Sequence, residues 1–189
     1  MCISRHPASA GRIRQDGGAR FRRAAGLSFI EIIIALALLG ILLSLGLPAF
    51  NTTLANMRVR QVAESLRDGL QSARNEAVKR NTAVAFNLDN PTGGGWSVTL
   101  VADGTLLRSK SAAEGSYIQV DSGGAMEVDF SNLGLMTLPV APSQTFSVSN
   151  PSVGACGPGG IRCLSIVVAA GGQVRLCDPQ RTSPDPQAC

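Results

Sequence analysis

The chain has 189 residues, a formal net charge of +4 and a sequence pI near 9.1, with room for one folded domain beside any targeting segment. Its basic balance invites a nucleic-acid reading, but residues 1–26 hold six Arg against one Asp, and the rest carries eleven Lys plus Arg against twelve Asp plus Glu. The sole histidine is His6, and no P-loop, dinucleotide fingerprint or nucleophile elbow occurs, so neither catalytic residues nor a metal or cofactor is expected.

The first organised stretch is Gly26-Leu27-Ser28-Phe29-Ile30-Glu31, which runs into an apolar segment ending at Leu47. Residues 27–47 contain one charge, Glu31, and as a helix they are long enough to cross a hydrocarbon core of about 30 Å. Arg-rich sequence ahead of such a helix holds that end in the cytoplasm, which places the remainder outside it. An ordinary secretory signal cut near Ser44-Leu45-Gly46 is the alternative, but the apolar run exceeds the usual ~7–15 residues of such signals. A carboxylate at membrane depth costs about 2.5–3.5 kcal/mol, so Glu31 calls for a specific partner.

Beyond Pro48 the pattern becomes amphipathic. Ala55, Val59, Val62, Leu66, Leu70, Ala73 and Ala77 form one helical stripe, interleaved with charged residues. One helix from about Leu27 to Val78 is expected, kinked or locally melted near Gly46 and Pro48. Residues 48–80 are its amphipathic continuation, and their stripe must be buried by the C-terminal part of the chain.

Residues 81–189 read as a β-rich head. Alternation marks Val84 to Leu88 and Trp96 to Leu100, separated by Asp89-Asn90-Pro91-Thr92-Gly93-Gly94-Gly95, and a turn at Asp103-Gly104 leads to a return strand from Thr105 to Arg108. Further short strands are expected at Tyr117 to Val120, Met126 to Phe130, Thr145 to Val148, Leu164 to Val168 and Val174 to Cys177. Six to eight strands after one long helix make an α+β domain. Glu127 and Asp129 fall on one strand face, expected to be the solvated one.

Cys156, Cys163, Cys177 and Cys189 crowd the C-terminus, without the close spacing of a zinc site, and read as two disulfides tethering a Pro-rich tail. Four cysteines allow three pairings. A hairpin with Cys163 and Cys177 at its open end favours joining those two, with Cys156 to Cys189, over Cys156 to Cys163 with Cys177 to Cys189.

The residues around Gly26 resemble the class III signal of type IV pilins and type II secretion pseudopilins: Gly26, a hydrophobic Leu27 where the family more often has Phe or Met, Glu31 as fifth residue of the processed chain, then Gly40 and Pro48. The resemblance implies a leader, residues 1–26, removed by a prepilin peptidase between Gly26 and Leu27, N-methylation of Leu27, insertion of 27–47 in the inner membrane with the head in the periplasm, and assembly into a filament with Glu31 setting register. Cleavage would create an α-amino group of pKa near 8 at the membrane edge, a partner able to offset the desolvation of a neighbour's Glu31. Within that group, Ala77-Val78-Lys79-Arg80-Asn81 leading to Val84-Ala85-Phe86, Trp96-Ser97-Val98 and the late Gly172-Gln173-Val174-Arg175-Leu176-Cys177 segment are similar to the GspH/FimT family. This implies a minor subunit at or near the tip of a secretion pseudopilus or type IV pilus, with other pilins, a secreted cargo or DNA as partners. Pilus members of the family grip DNA through a Gly-Arg-x-Arg segment; here Gln173 replaces one arginine, leaving Arg175, with Arg162 and Arg181 as supplements.

Overall fold

The computed structural model describes residues 28–112, 117–157 and 160–189, without the side chains of 45–49. The chain divides into two units, Met1–Ile41 and Leu42–Cys189.

One helix, α1, covers Phe29–Arg80. Its start is set at Ser28, whose carbonyl accepts from the N–H groups of Glu31 and Ile32 at 3.0 and 3.2 Å. Its end is a Schellman closure. Asn81 takes φ 52°, its N–H reaches Val78 O at 3.3 Å, and the Thr82 N–H reaches Ala77 O at 3.2 Å. Lys79 and Arg80 stand in the last turn, where cations complement the helix dipole. The element is helical through Gly46 and Pro48, so of the expected kink or local melting the melting does not occur; a proline inside a helix removes one donor and can kink it without ending it.

Among the described residues of the second unit, nine antiparallel strands make two sheets. The first has the order β3(Leu106–Lys110), β2(Gly95–Leu100), β1(Val84–Asn90), β5(Glu127–Phe130), β6(Met136–Leu138). The second runs β4(Gln119–Asp121), β7(Ser143–Ser149), β8(Leu164–Ala169), β9(Val174–Cys177). The expected strands are all present within a residue or two; β6 is the one without an expectation. It has three residues, too few for alternation to register, and exists by pairing Phe130 with Met136 and Asp129 with Leu138.

All seven residues of the amphipathic stripe of α1 are buried, and they share one core with both sheets. Phe86 links the layers, with its ring centroid 5.9 Å from that of Trp96 in the first sheet and 6.0 Å, edge to face, from that of Phe146 in the second. Trp96 Nε1 donates to Ser65 Oγ on the helix at 3.0 Å, so the indole is buried with its polar atom paired. Gly69 sits where the two rings press on the helix: a Cβ there would lie 2.9 Å from ring carbons of Phe86 and Trp96. Gly172, at φ 73° in the β8–β9 turn, would drive a Cβ into the Gly134 carbonyl, which also accepts from Arg74 Nε at 3.1 Å. Glycine there lets the second sheet's hairpin dock against the first sheet's last turn.

Candidate functional site

Gly26 and Leu27, the expected cleavage and methylation positions, lie outside the described residues, as does the leader 1–26. The helix beyond them is described from Phe29, and Glu31 falls in its first turn, where a carboxylate faces the positive end of the helix dipole. Ser28-Phe29-Ile30-Glu31 also has the spacing of a capping box, a helix-start signal that agrees with the described helix beginning at Phe29.

From Phe29 to Leu43, eleven large apolar side chains are exposed, between 44% for Ile32 and 79% for Phe29. A monomeric soluble surface rarely carries an apolar patch above a few hundred Å², and this one surrounds the helix, interrupted by a single charge, Glu31. Among the described residues no helix is long and apolar enough to cross a membrane. The expected 27–47 span includes Leu27 and the side chains of 45–47, which lie outside them.

At the opposite end of the chain, the cysteines form Cys156–Cys163 and Cys177–Cys189. The pairing favoured from the hairpin is therefore corrected. Strand register explains it: β8 and β9 pair Ser165 with Cys177 and Ile166 with Leu176, so Cys163 lies before the ladder, two positions from the residue opposite Cys177. Each disulfide instead closes a local loop, one leading into β8 and the other folding the tail back to the end of β9.

Register also decides how the C-terminal arginines are used. Asp178, whose side chain is 4% exposed, accepts from Arg162 Nη2 at 2.9 Å and lies 3.5 Å from Arg181 Nε. Arg181 also pairs with Asp185 at 2.5 Å. The Asp185 carboxyl is held below the usual range by the Gln187 backbone N–H and then by Arg181, while hydrogen bonding to Asp185 pushes the Arg181 guanidinium up. Asp178 Oδ1 further accepts from the Gln180 N–H at 2.9 Å. Arg162 and Arg181 are thus brought together around one buried carboxylate and tie the tail down. Arg175 stands apart, the one exposed residue of β9, donating to Ala188 O at 3.4 Å. That Asp178 would be buried and doubly paired had no signal in the sequence, because the partners converge only once the hairpin and tail are folded.

Glu127 and Asp129 share one side of β5, as expected, but that side is solvated only at Glu127; Asp129 is half-buried, which corrects the expected solvated face. Burial, and then the Glu127 charge, raises the Asp129 pKa, and its Oδ1 is shut off from solvent without a hydrogen-bond partner. Among the described residues no group of three or more His, Cys, Asp or Glu is placed to hold a metal ion.

The family model for the type II transport protein GspH matches residues 62–172. Among solved structures, the chain is similar to the type IV minor pilin FimU of Pseudomonas aeruginosa PAO1, with a TM-score of 0.52 and 22% identity over 69% of this chain and 94% of that one. It is also similar to the minor pseudopilin EpsH of the type 2 secretion system of Vibrio cholerae, with a TM-score of 0.47 and 17% identity over 66% and 99% of the two chains. At such identity FimU speaks for the fold: a helix packed on an antiparallel β head. A search of the curated proteins found no match.

Proposed function

Because the chain belongs to the family of the type II transport protein GspH, we propose that it is a non-catalytic minor pilin or pseudopilin: held in the inner membrane by residues 27–47, cut between Gly26 and Leu27, methylated at Leu27, and incorporated at or near the tip of a secretion pseudopilus or type IV pilus. The observation that carries this reading is the exposed apolar surface of α1 from Phe29 to Leu43. Such a surface needs lipid before assembly and other helices after it. Two states of one helix, in lipid and in a bundle, are what a filament subunit requires.

Glu31 distinguishes the two states. In lipid its carboxyl has no fixed partner, whereas in a bundle a neighbour's α-amino group would satisfy it, which gives the packed state a defined register. The head then serves as the surface met by other subunits or by cargo. Two of the three arginines expected to meet DNA are held by Asp178 and Asp185, so the DNA-uptake alternative retains Arg175 alone and is not favoured.

The test is Glu31→Val in cells producing the filament. The variant should remain in the membrane fraction yet associate with sheared filaments at least tenfold less than the wild type. Equal incorporation would remove the register role, and a wild-type chain absent from filaments would remove the proposal as a whole.

A further inference from the structure

Between α1 and the C-terminal hairpin lies a cleft of about 460 Å³, within the usual range of ligand sites. Its lining combines three guanidinium groups, Arg60, Arg67 and Arg162, with the apolar side chains of Met57, Leu164 and Leu176. The walls are held before any ligand arrives. Asn56 on the helix accepts the Arg162 N–H at 2.9 Å, Gln180 Nε2 donates to Ile161 O at 3.2 Å, and the disulfides at Cys163 and Cys177 anchor the strand side.

The cationic side of this cleft is incompletely answered from within. Asp178 is the one carboxylate in the lining, and Arg162 shares it with Arg181. Arg60 is paired with Glu64 at 2.8 Å in an exposed i,i+4 bridge of the kind that contributes little. Arg67 reaches its sequence neighbour Asp68 at 3.3 Å, and its Nε has no acceptor and no solvent. A carboxylate entering the cleft would supply the further acceptor that Arg67 lacks and compete with the exposed Glu64 for Arg60.

We propose that this cleft docks an acidic peptide segment of a partner protein, its carboxylates on Arg60 and Arg67 and an apolar residue between them against Met57, Leu164 and Leu176. Charge complementarity commits the occupant to an anion, and the rest of the lining decides which kind. No aromatic side chain is present in the lining for a base to stack on, and the apolar part of the surface would be idle against a phosphodiester backbone. Counted along α1, Arg60 lies thirteen residues past Leu47, about 20 Å of helical rise, whereas the headgroup layer adds only ~5–8 Å on each side of the hydrocarbon. An extended peptide with alternating acidic and apolar residues matches both parts of the cleft. That the partner is a neighbouring filament subunit rests on the proposed filament role; the peptide chemistry does not.

The test uses the full-length, disulfide-bonded chain in detergent and fluorescence anisotropy with a labelled pool of heptapeptides carrying Asp or Glu at alternate positions and Leu, Ile or Val between them. The pool should bind, and raising NaCl from 0.05 to 0.5 M should weaken it at least tenfold. Arg60→Gln with Arg67→Gln should weaken it at least tenfold, Met57→Trp should block it with every charge retained, and Arg58→Gln should change it less than twofold. No binding by the pool, or equal binding by its Asn/Gln counterpart, overturns the proposal. So does tighter binding of a single-stranded oligonucleotide or of anionic vesicles that displaces the peptides. Filament incorporation in cells is read separately, so loss of peptide binding with normal incorporation defeats this inference alone.

Discussion

Gly69→Ala isolates the contact on which the head is built. In an exposed helix interior this change would stabilise by about 1 kcal/mol through helix propensity. Here the added methyl would stand 2.9 Å from carbons of Phe86 and Trp96, inside the ~3.5–4.0 Å optimum for carbon pairs. Neither ring has room to retreat, since Phe86 is fully buried and also packs on Phe146, while Trp96 is 4% exposed and tethered to Ser65. Overpacking of this kind costs about 1–3 kcal/mol, and rigid rings on the receiving side place it at the upper end. The expected net loss is ~2 kcal/mol, a fall of roughly 6 °C in Tm for a unit of about 150 residues. Trp96 is the only tryptophan, so urea unfolding followed by its fluorescence reports directly from the contact. In a Trp96→Phe background, followed by circular dichroism, the same substitution should cost ~1 kcal/mol less, because the indole carbons nearest the methyl are gone. An unchanged or higher unfolding midpoint for Gly69→Ala would refute the argument that the rings fix the helix at this point.

Digestion without reduction should yield Cys156 joined to Cys163 and Cys177 joined to Cys189, and a peptide joining Cys163 to Cys177 would contradict the register argument. Replacing Cys177 and Cys189 together by Ser opens a loop of twelve-residue separation and should cost ~3 kcal/mol, measured by urea unfolding, with new protease cleavage in the tail. Asp129 has its folded pKa raised above the ordinary 3.8 by burial and by Glu127, so the folded chain binds more protons than the unfolded one between those two values. Stability should therefore fall as pH rises through that window and stay reduced above it. Asp129→Asn should raise the Tm at pH 7, with the advantage vanishing below about pH 3, where the carboxyl is neutral in both states; a difference independent of pH would show that the charge is not its source.

Local periodicity was legible in the residues themselves. A 3.6-residue repeat from Ala55 to Ala77 specifies which face of α1 is buried, whatever lies against it, and all seven positions are buried. Alternation likewise marks β1, β2 and β9, because side-chain direction along a strand needs no knowledge of its partner. The apolar run after Gly26 declares that it needs another apolar environment. Which cysteines join, which arginines are neutralised and where a cleft opens depend on register between segments far apart in sequence, and local pattern carries no term for that. Ser165 opposite Cys177 excludes the favoured disulfide; the folded hairpin and tail put Asp178 between Arg162 and Arg181; Asn56, over a hundred positions from Arg162, closes one end of the cleft. Strand β6 belongs with these, three residues whose only claim to be a strand is the edge of β5 beside them.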